Sequence, residues 1–218
     1  MELLMVFRSA RRIRVAAAFI AFSTAFVICF TPLQPARAQT SPAKPQGQPA
    51  KPAPVAPEGI QTKPGDAFGE EVTLTAKPIV YVKGTGAWDS AFATISSALK
   101  KVEAYVDKSG LKADGMPMTI FTATDDHGFD YQAAIPLAQP PKDPPHGEIA
   151  AGQSPEGRAL KFVHRGSYEA MDDTYEAITN YLDEKRLESK DMLIEQYVTD
   201  PASADEKNLV VNVLVPIK

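Results

Sequence analysis

The chain has a single cysteine, Cys29, and it lies in an apolar run close to the N-terminus of the 218 residues. Downstream of it no disulfide framework and no cysteine-ligated metal can form, so a folded domain there must rest on its apolar core. Histidine is almost as scarce: His127, His146 and His164 are the three present, and none has metal-ligand spacing to another. His127 stands near Asp125, Asp126 and Asp130, but Gly128 and the flanking β-type runs make this a polar hairpin turn rather than a metal site. A phosphate loop, a nucleophile motif and a cofactor fingerprint are all lacking. Neither a metal nor a cofactor is therefore expected.

Charge is unevenly placed along the chain. Arg8, Arg11, Arg12 and Arg14 precede the uncharged run Val15 to Phe30, and Ala36-Arg37-Ala38 follows a Pro-containing break. This is the pattern of a cleavable signal peptide over residues 1–38, and it predicts a periplasmic or secreted protein with no stable membrane insertion after cleavage. The competing reading is a retained membrane anchor, for which the sixteen-residue run falls just short of a bilayer span. Removing that segment takes five basic and one acidic residue from totals of 23 and 27, leaving 18 and 26 and a formal charge of −8. Such a balance disfavours nucleic acid, whose affinity is dominated by phosphate contacts with a basic surface. Residues 39–65, with prolines at 42, 45, 49, 52, 54, 57 and 64, have little to bury and read as a Pro- and Ala-rich disordered linker.

Folded structure is expected over residues 66–218, in two similar halves of about 70–138 and 147–218. In the first, a strand ends at Ile79-Val80-Tyr81-Val82 and a turn is predicted at Lys83-Gly84-Thr85-Gly86. Trp88, Phe92, Ile95, Leu99, Val102 and Val106 then recur at three- and four-residue spacing, one apolar face of a helix. Gly110 is its candidate left-handed C-cap. Strands are predicted at Met118 to Thr124 and Phe129 to Leu137. The second half repeats the order after a short strand predicted near Glu148 to Ala151: strand Arg158 to His164, turn Arg165-Gly166-Ser167, helical face Met171, Tyr175, Ile178 and Leu182, then strands Met192 to Thr199 and Leu209 to Ile217. Ser167 is the candidate N-cap of the second helix. Two strand-helix-strand-strand units imply an α+β domain, a curved antiparallel sheet with two helices on one face. The uncovered face is then free to line a ligand groove between the repeats.

One stretch carries the candidate chemistry. In Leu193-Ile194-Glu195-Gln196-Tyr197-Val198-Thr199, alternation puts Leu193, Glu195, Tyr197 and Thr199 on one face and Ile194, Gln196 and Val198 on the other. A carboxylate beside an aromatic ring can hold a cationic ligand or act as a general base. Alternation alone favours the blander reading, in which Glu195, Tyr197 and Thr199 are the wet face of a half-buried strand.

The order Gly110-Leu111, Gly115-Met116-Pro117, His164-Arg165-Gly166-Ser167-Tyr168-Glu169, Glu195-Gln196-Tyr197 and Val215-Pro216-Ile217-Lys218 resembles the GyrI-like, or AraC-type effector-binding, small-molecule-binding superfamily. The resemblance implies the duplicated fold, a small hydrophobic or cationic ligand, and Glu195 as the acidic contact. Tyr168, Tyr197 and Trp88 are the candidate aromatic lining. It also implies an alternative, a small-molecule hydrolase with Glu195 as general base. Relatives commonly carry a DNA-binding helix-turn-helix where this chain has its signal-like segment and linker, so gene regulation is not expected. A third possibility is an interaction module on a Pro-rich tether.

Overall fold

A computed structural model describes residues 66–218, and the segments read as signal peptide and linker lie outside the described residues. The described strands are β1 (Phe68–Leu74), β2 (Pro78–Gly86), β3 (Met118–Thr124), β4 (Phe129–Pro136), β5 (Ile149–Gln153), β6 (Gly157–Gly166), β7 (Leu193–Tyr197) and β8 (Leu209–Pro216). They form one antiparallel sheet in the order β1-β6-β8-β7-β3-β4-β2-β5. Helix α1 (Ala91–Lys108) follows β2 and α2 (Met171–Lys185) follows β6, each entered through one 3-10 turn, Trp88–Ser90 and Tyr168–Ala170. The α+β architecture expected from the sequence is what forms.

The duplication is visible in the register. Ile79 pairs with Pro136 as Ala159 pairs with Pro216, an offset of 80 residues. Met118 pairs with Ala134 as Ile194 pairs with Leu214, so the offset at β3 and β7 has fallen to 76. The four residues are lost within the helices, since α1 is longer than α2 by about one turn. Each repeat also lends its leading strand to the other half: β1 adds to β6, and β5 adds to β2.

Both helices end in the same way. Gly110 (φ 62°) and Arg186 (φ 55°) take the left-handed conformation, and Leu111 N–H donates to Val106 O as Leu187 N–H donates to Leu182 O. This is a Schellman cap, natural for Gly110 and costlier for Arg186, whose Cβ crowds the following carbonyl. Ser167 does not cap α2 with its side chain. The dipole at that helix start is met instead by Glu169, Asp172 and Asp173.

The predicted turn at Lys83 to Gly86 is strand, and β6 likewise runs through Gly166. The reason lies across the ladder. A Cβ on Gly84 would stand 2.6 Å from Tyr131 Oη, and one on Gly86 2.5 Å from the Phe129 ring, so these glycines make room for aromatic side chains of β4. The turn over Asp125 to Gly128 forms as expected, with Asp125 Oδ1 accepting from His127 N and Gly128 N at 2.8 and 3.0 Å. Those two donors hold the Asp125 carboxyl below its usual range.

Helix α1 packs on β2 and β4, and α2 on β6. Ile95, Leu99, Val102 and Val106 from α1 and Met171, Ile178 and Leu182 from α2 share one core with Phe121, Phe162, Leu193, Val211 and Val213. Each such side chain contributes about 1.5–3 kcal/mol of burial. The reverse face of the sheet is not bare, for Ile79, Met118, Ile120, Ala134, Ile194 and Leu214 form a second, smaller buried cluster there. Between the two helices the central strands β3 and β7 are left as a floor.

Candidate functional site

Glu195 lies on that floor, on the helix-covered face. The alternation read from the sequence holds, with Leu193 and Tyr197 in the helix-side core and Ile194 in the reverse cluster. The expected location of the groove does not: Glu195 faces the helices, because the cleft opens between them rather than on the sheet's other side. Nor is Glu195 on a wet face, since its exposure is 0%.

Three tyrosine hydroxyls converge on this carboxylate. Tyr197 Oη donates to Oε2 at 2.5 Å, Tyr175 Oη donates to Oε1, and Tyr168 Oη lies 3.2 Å from Oε2 and 3.4 Å from Oε1. Thr119 Oγ1, also fully buried, is 3.0 Å from Tyr197 Oη. A buried charge without a cation is costly. Burial pushes the Glu195 carboxyl above its ordinary value, and the hydrogen bonds from Tyr175, Tyr197 and Tyr168 pull only partly the other way. The same burial, with Glu195 beside them, drives all three tyrosines well above the ordinary phenol value. The cluster therefore sets one carboxyl of raised proton affinity among three tyrosine hydroxyls, with no lysine or arginine in it.

Above it, a cavity of about 690 Å³ opens between the N-terminal ends of the helices. Trp88, Phe92, Tyr168 and Tyr175 supply its aromatic wall, and Asp89, Asp126, Glu169, Asp172 and Glu206 its acidic rim. Trp88 Nε1 donates to Asp125 O at 2.9 Å, and the indole packs on Phe129 with ring centroids 4.8 Å apart. Tyr168 packs on Phe92 at 5.4 Å. Of the four residues singled out from the sequence, Trp88 and Tyr168 line the cavity, whereas Glu195 lies sealed beneath the hydroxyls of Tyr168 and Tyr175. Tyr197, 1% exposed, does not reach the cavity and supports Glu195 from below.

Sequence pattern alone does not single out Tyr175, whose hydroxyl donates to Glu195. Its place on the apolar stripe of α2 reads as core, and half of it is core. A signal was present in the repeat: at an offset of 80, Tyr175 corresponds to Ile95, just as Tyr168 corresponds to Trp88. At the offset of 76, Tyr197 corresponds to Phe121. Half two thus puts hydroxyls at three positions where half one puts purely apolar or indole groups. The hydroxyls that meet Glu195 thus come from half two, while acidic residues of both halves, Asp89 and Asp126 from one and Glu169, Asp172 and Glu206 from the other, ring the cavity above.

The family model of the GyrI-like small-molecule-binding domain matches residues 70–218. Among solved structures, the chain is similar to the EcmrR–DNA complex, with 13% identity and a TM-score of 0.60 over 69% of this chain and 57% of that one. It is similar to the EcmrR C-terminal domain with 13% identity and a TM-score of 0.57, over 70% of this chain and 98% of that one. A structure of SAV2435 bound to tetraphenylphosphonium matches at 13% identity and a TM-score of 0.48, over 69% and 94% of the two chains. At such identities the likeness is one of fold. The chain spans little more than half the length of the EcmrR chain seen with DNA. No curated protein matches it.

Proposed function

The chain belongs to the GyrI-like small-molecule-binding family, and from that premise we propose that its interhelical cleft takes up a small, mainly apolar molecule carrying positive charge, in an exported protein that sequesters or senses it. The observation that carries this reading is the placement of Glu195: a carboxylate at 0% exposure, with only tyrosine hydroxyls as partners, under an aromatic cavity. A cation brought to that depth supplies the missing counter-charge and stabilises the ionised carboxylate. Aromatic faces add cation–π attraction, about 0.5–2 kcal/mol each. The acidic rim favours the approach of a cation and repels an anion.

Export rests on the Arg-rich and apolar N-terminal pattern and the Ala36-Arg37-Ala38 site. The chain without that segment carries 18 basic against 26 acidic residues, a balance that disfavours a nucleic-acid partner.

Titration of the purified protein with a rigid lipophilic monocation such as tetraphenylphosphonium, and with an uncharged analogue of the same shape, is the direct test. Trp88 emission should respond to the cation, and Glu195→Gln should reduce its affinity at least tenfold while leaving the uncharged analogue unaffected. Equal affinity of wild type and variant for the cation would remove Glu195 from the binding reading.

The hydrolase alternative draws on the same carboxyl. Burial raises its proton affinity, which is what a general base working near neutrality needs. Turnover of a small electrophilic substrate that disappears in Glu195→Gln would favour it.

A further inference from the structure

We infer that His164 is a positioning residue for this site: it fixes the peptide between Ser167 and Tyr168, and so holds the Tyr168 hydroxyl on Glu195. His164 sits near the end of β6 with 2% exposure. Its Nε2 lies 3.0 Å from Ser167 O and its Nδ1 2.8 Å from Thr174 Oγ1. A carbonyl oxygen only accepts, so Nε2 carries the proton and Nδ1 accepts from Thr174. The ring thereby ties the end of β6 to the 3-10 turn and to the first turn of α2.

The peptide it grips is held at both ends. Ser167 O accepts from His164, and the N–H of the same peptide, that of Tyr168, donates to Glu206 O at 2.8 Å. The next atom along the chain is the Cα of Tyr168. Fixing this one peptide plane sets the direction in which the Tyr168 ring leaves the backbone, and hence the reach of its hydroxyl.

The internal repeat supplies the control. At the offset of 80, His164 corresponds to Gly84, where half one needs no side chain and Tyr131 fills the space. Half one completes the same strand, 3-10 turn and helix without a histidine, so the fold does not demand one. What differs is the aromatic residue that follows. Trp88 is anchored by its own ring N–H on Asp125 O. Tyr168 has a single polar group and spends it on Glu195. Its ring must therefore be placed through the backbone, and His164 does this.

Burial keeps His164 neutral by lowering its proton affinity, against opposing effects from Ser167 O and Asp173. The groups facing Glu195 are Tyr168, Tyr175 and Tyr197, all neutral, so the Glu195 titration reports its own solvation together with the hydrogen bonds from these hydroxyls.

The test follows the Glu195 side-chain carboxyl by 13C NMR across pH in wild type, Tyr168→Ala, His164→Gly and the double variant. Removing the Tyr168 ring admits water, which outweighs the loss of its hydrogen bond, the weakest of the three that lower the Glu195 value, so the Glu195 midpoint should fall. His164→Gly should lower it in the same direction, and the double variant should match Tyr168→Ala alone. Thr174→Val, which removes one anchor of the imidazole at nearly constant volume, should give a smaller fall and serves if His164→Gly does not fold. An unchanged midpoint in His164→Gly or Thr174→Val, additive shifts, or an unchanged midpoint in Tyr168→Ala would each overturn the assignment. The importance of Tyr168 rests on the binding reading, but no ligand enters this test, so the two fail separately.

Discussion

Thr119 and Glu195 pair directly across the junction of β3 and β7, and each is the other's counterpart in the duplicated chain. The local symmetry axis of the domain therefore passes between a hydroxyl and a carboxylate. Two glutamates there would set like charges against each other in the core, and one would have to stay protonated. With threonine on one side, a single acidic group remains, and the hydroxyl is used to support Tyr197.

The pH dependence of stability should carry the mark of Glu195. Its folded-state value lies above the ordinary one. Below the ordinary carboxylate range both folded and unfolded chains hold the proton, and stability from this group is complete. As pH rises, the unfolded chain releases its proton first, so stability falls until pH passes the raised folded value. His164 acts in the opposite sense, since its value is lowered and its contribution is lost on acidification. The difference between wild type and Glu195→Gln isolates the first effect. Urea denaturation at a series of pH values should show wild type losing stability relative to the variant from about pH 4 upward. Parallel profiles would contradict it.

Tyr197→Phe should cost more than its size suggests. The lost hydroxyl leaves both Glu195 Oε2 and the buried Thr119 hydroxyl short of a partner. An unsatisfied buried polar group costs about 1–3 kcal/mol. The same change should raise the Glu195 midpoint further, because this hydrogen bond holds it down. Tyr168→Phe removes a longer contact and should destabilise less. Both are read from urea midpoints and the carboxyl titration.

These effects show which parts of the molecule were open to sequence reasoning. The stripe from Trp88 to Val106 is a helix because 3.6-residue periodicity is a local property of the chain. Strand alternation fixed the face Glu195 shares with Tyr197 for the same reason. Which face the helices cover is decided by how β2 and β6 enter them, and alternation is blind to it. Gly84 and Gly86 read as a turn because the Tyr131 and Phe129 rings that need their space come from β4, more than 40 residues away. Tyr175 read as core because periodicity records position and not the use of a hydroxyl.

The strand reading of Gly86 can be tested by filling it. Alanine would be harmless in an open turn, but here its Cβ meets the buried Phe129 ring at 2.5 Å. Gly86→Ala should cost about 1–3 kcal/mol, as overpacked core positions do. A companion Phe129→Leu should recover part of that loss if the clash is its cause. Thermal unfolding of the two single variants and the double variant decides the point.

A gain in stability should be available at the second helix end. Gly110 and Arg186 occupy equivalent Schellman positions at φ 62° and 55°, with matching bonds from Gly110 N–H to Asp107 O and from Arg186 N–H to Asp183 O, each 3.1 Å. The backbone demands are the same, yet only one site has the residue that meets them without a Cβ penalty. A side chain in the left-handed region costs about 1–2 kcal/mol, and replacing it with glycine returns most of this, less the entropy that glycine adds to the unfolded chain. Arg186→Gly should therefore stabilise by about 0.5–1 kcal/mol, raising Tm by about 1–4 °C for a domain of this size. Gly110→Ala should move Tm the other way by a similar amount. Arg186 is exposed, so no packing is lost to obscure the comparison. A lowered Tm in Arg186→Gly would mean that the arginine side chain contributes more at this helix end than its backbone strain removes.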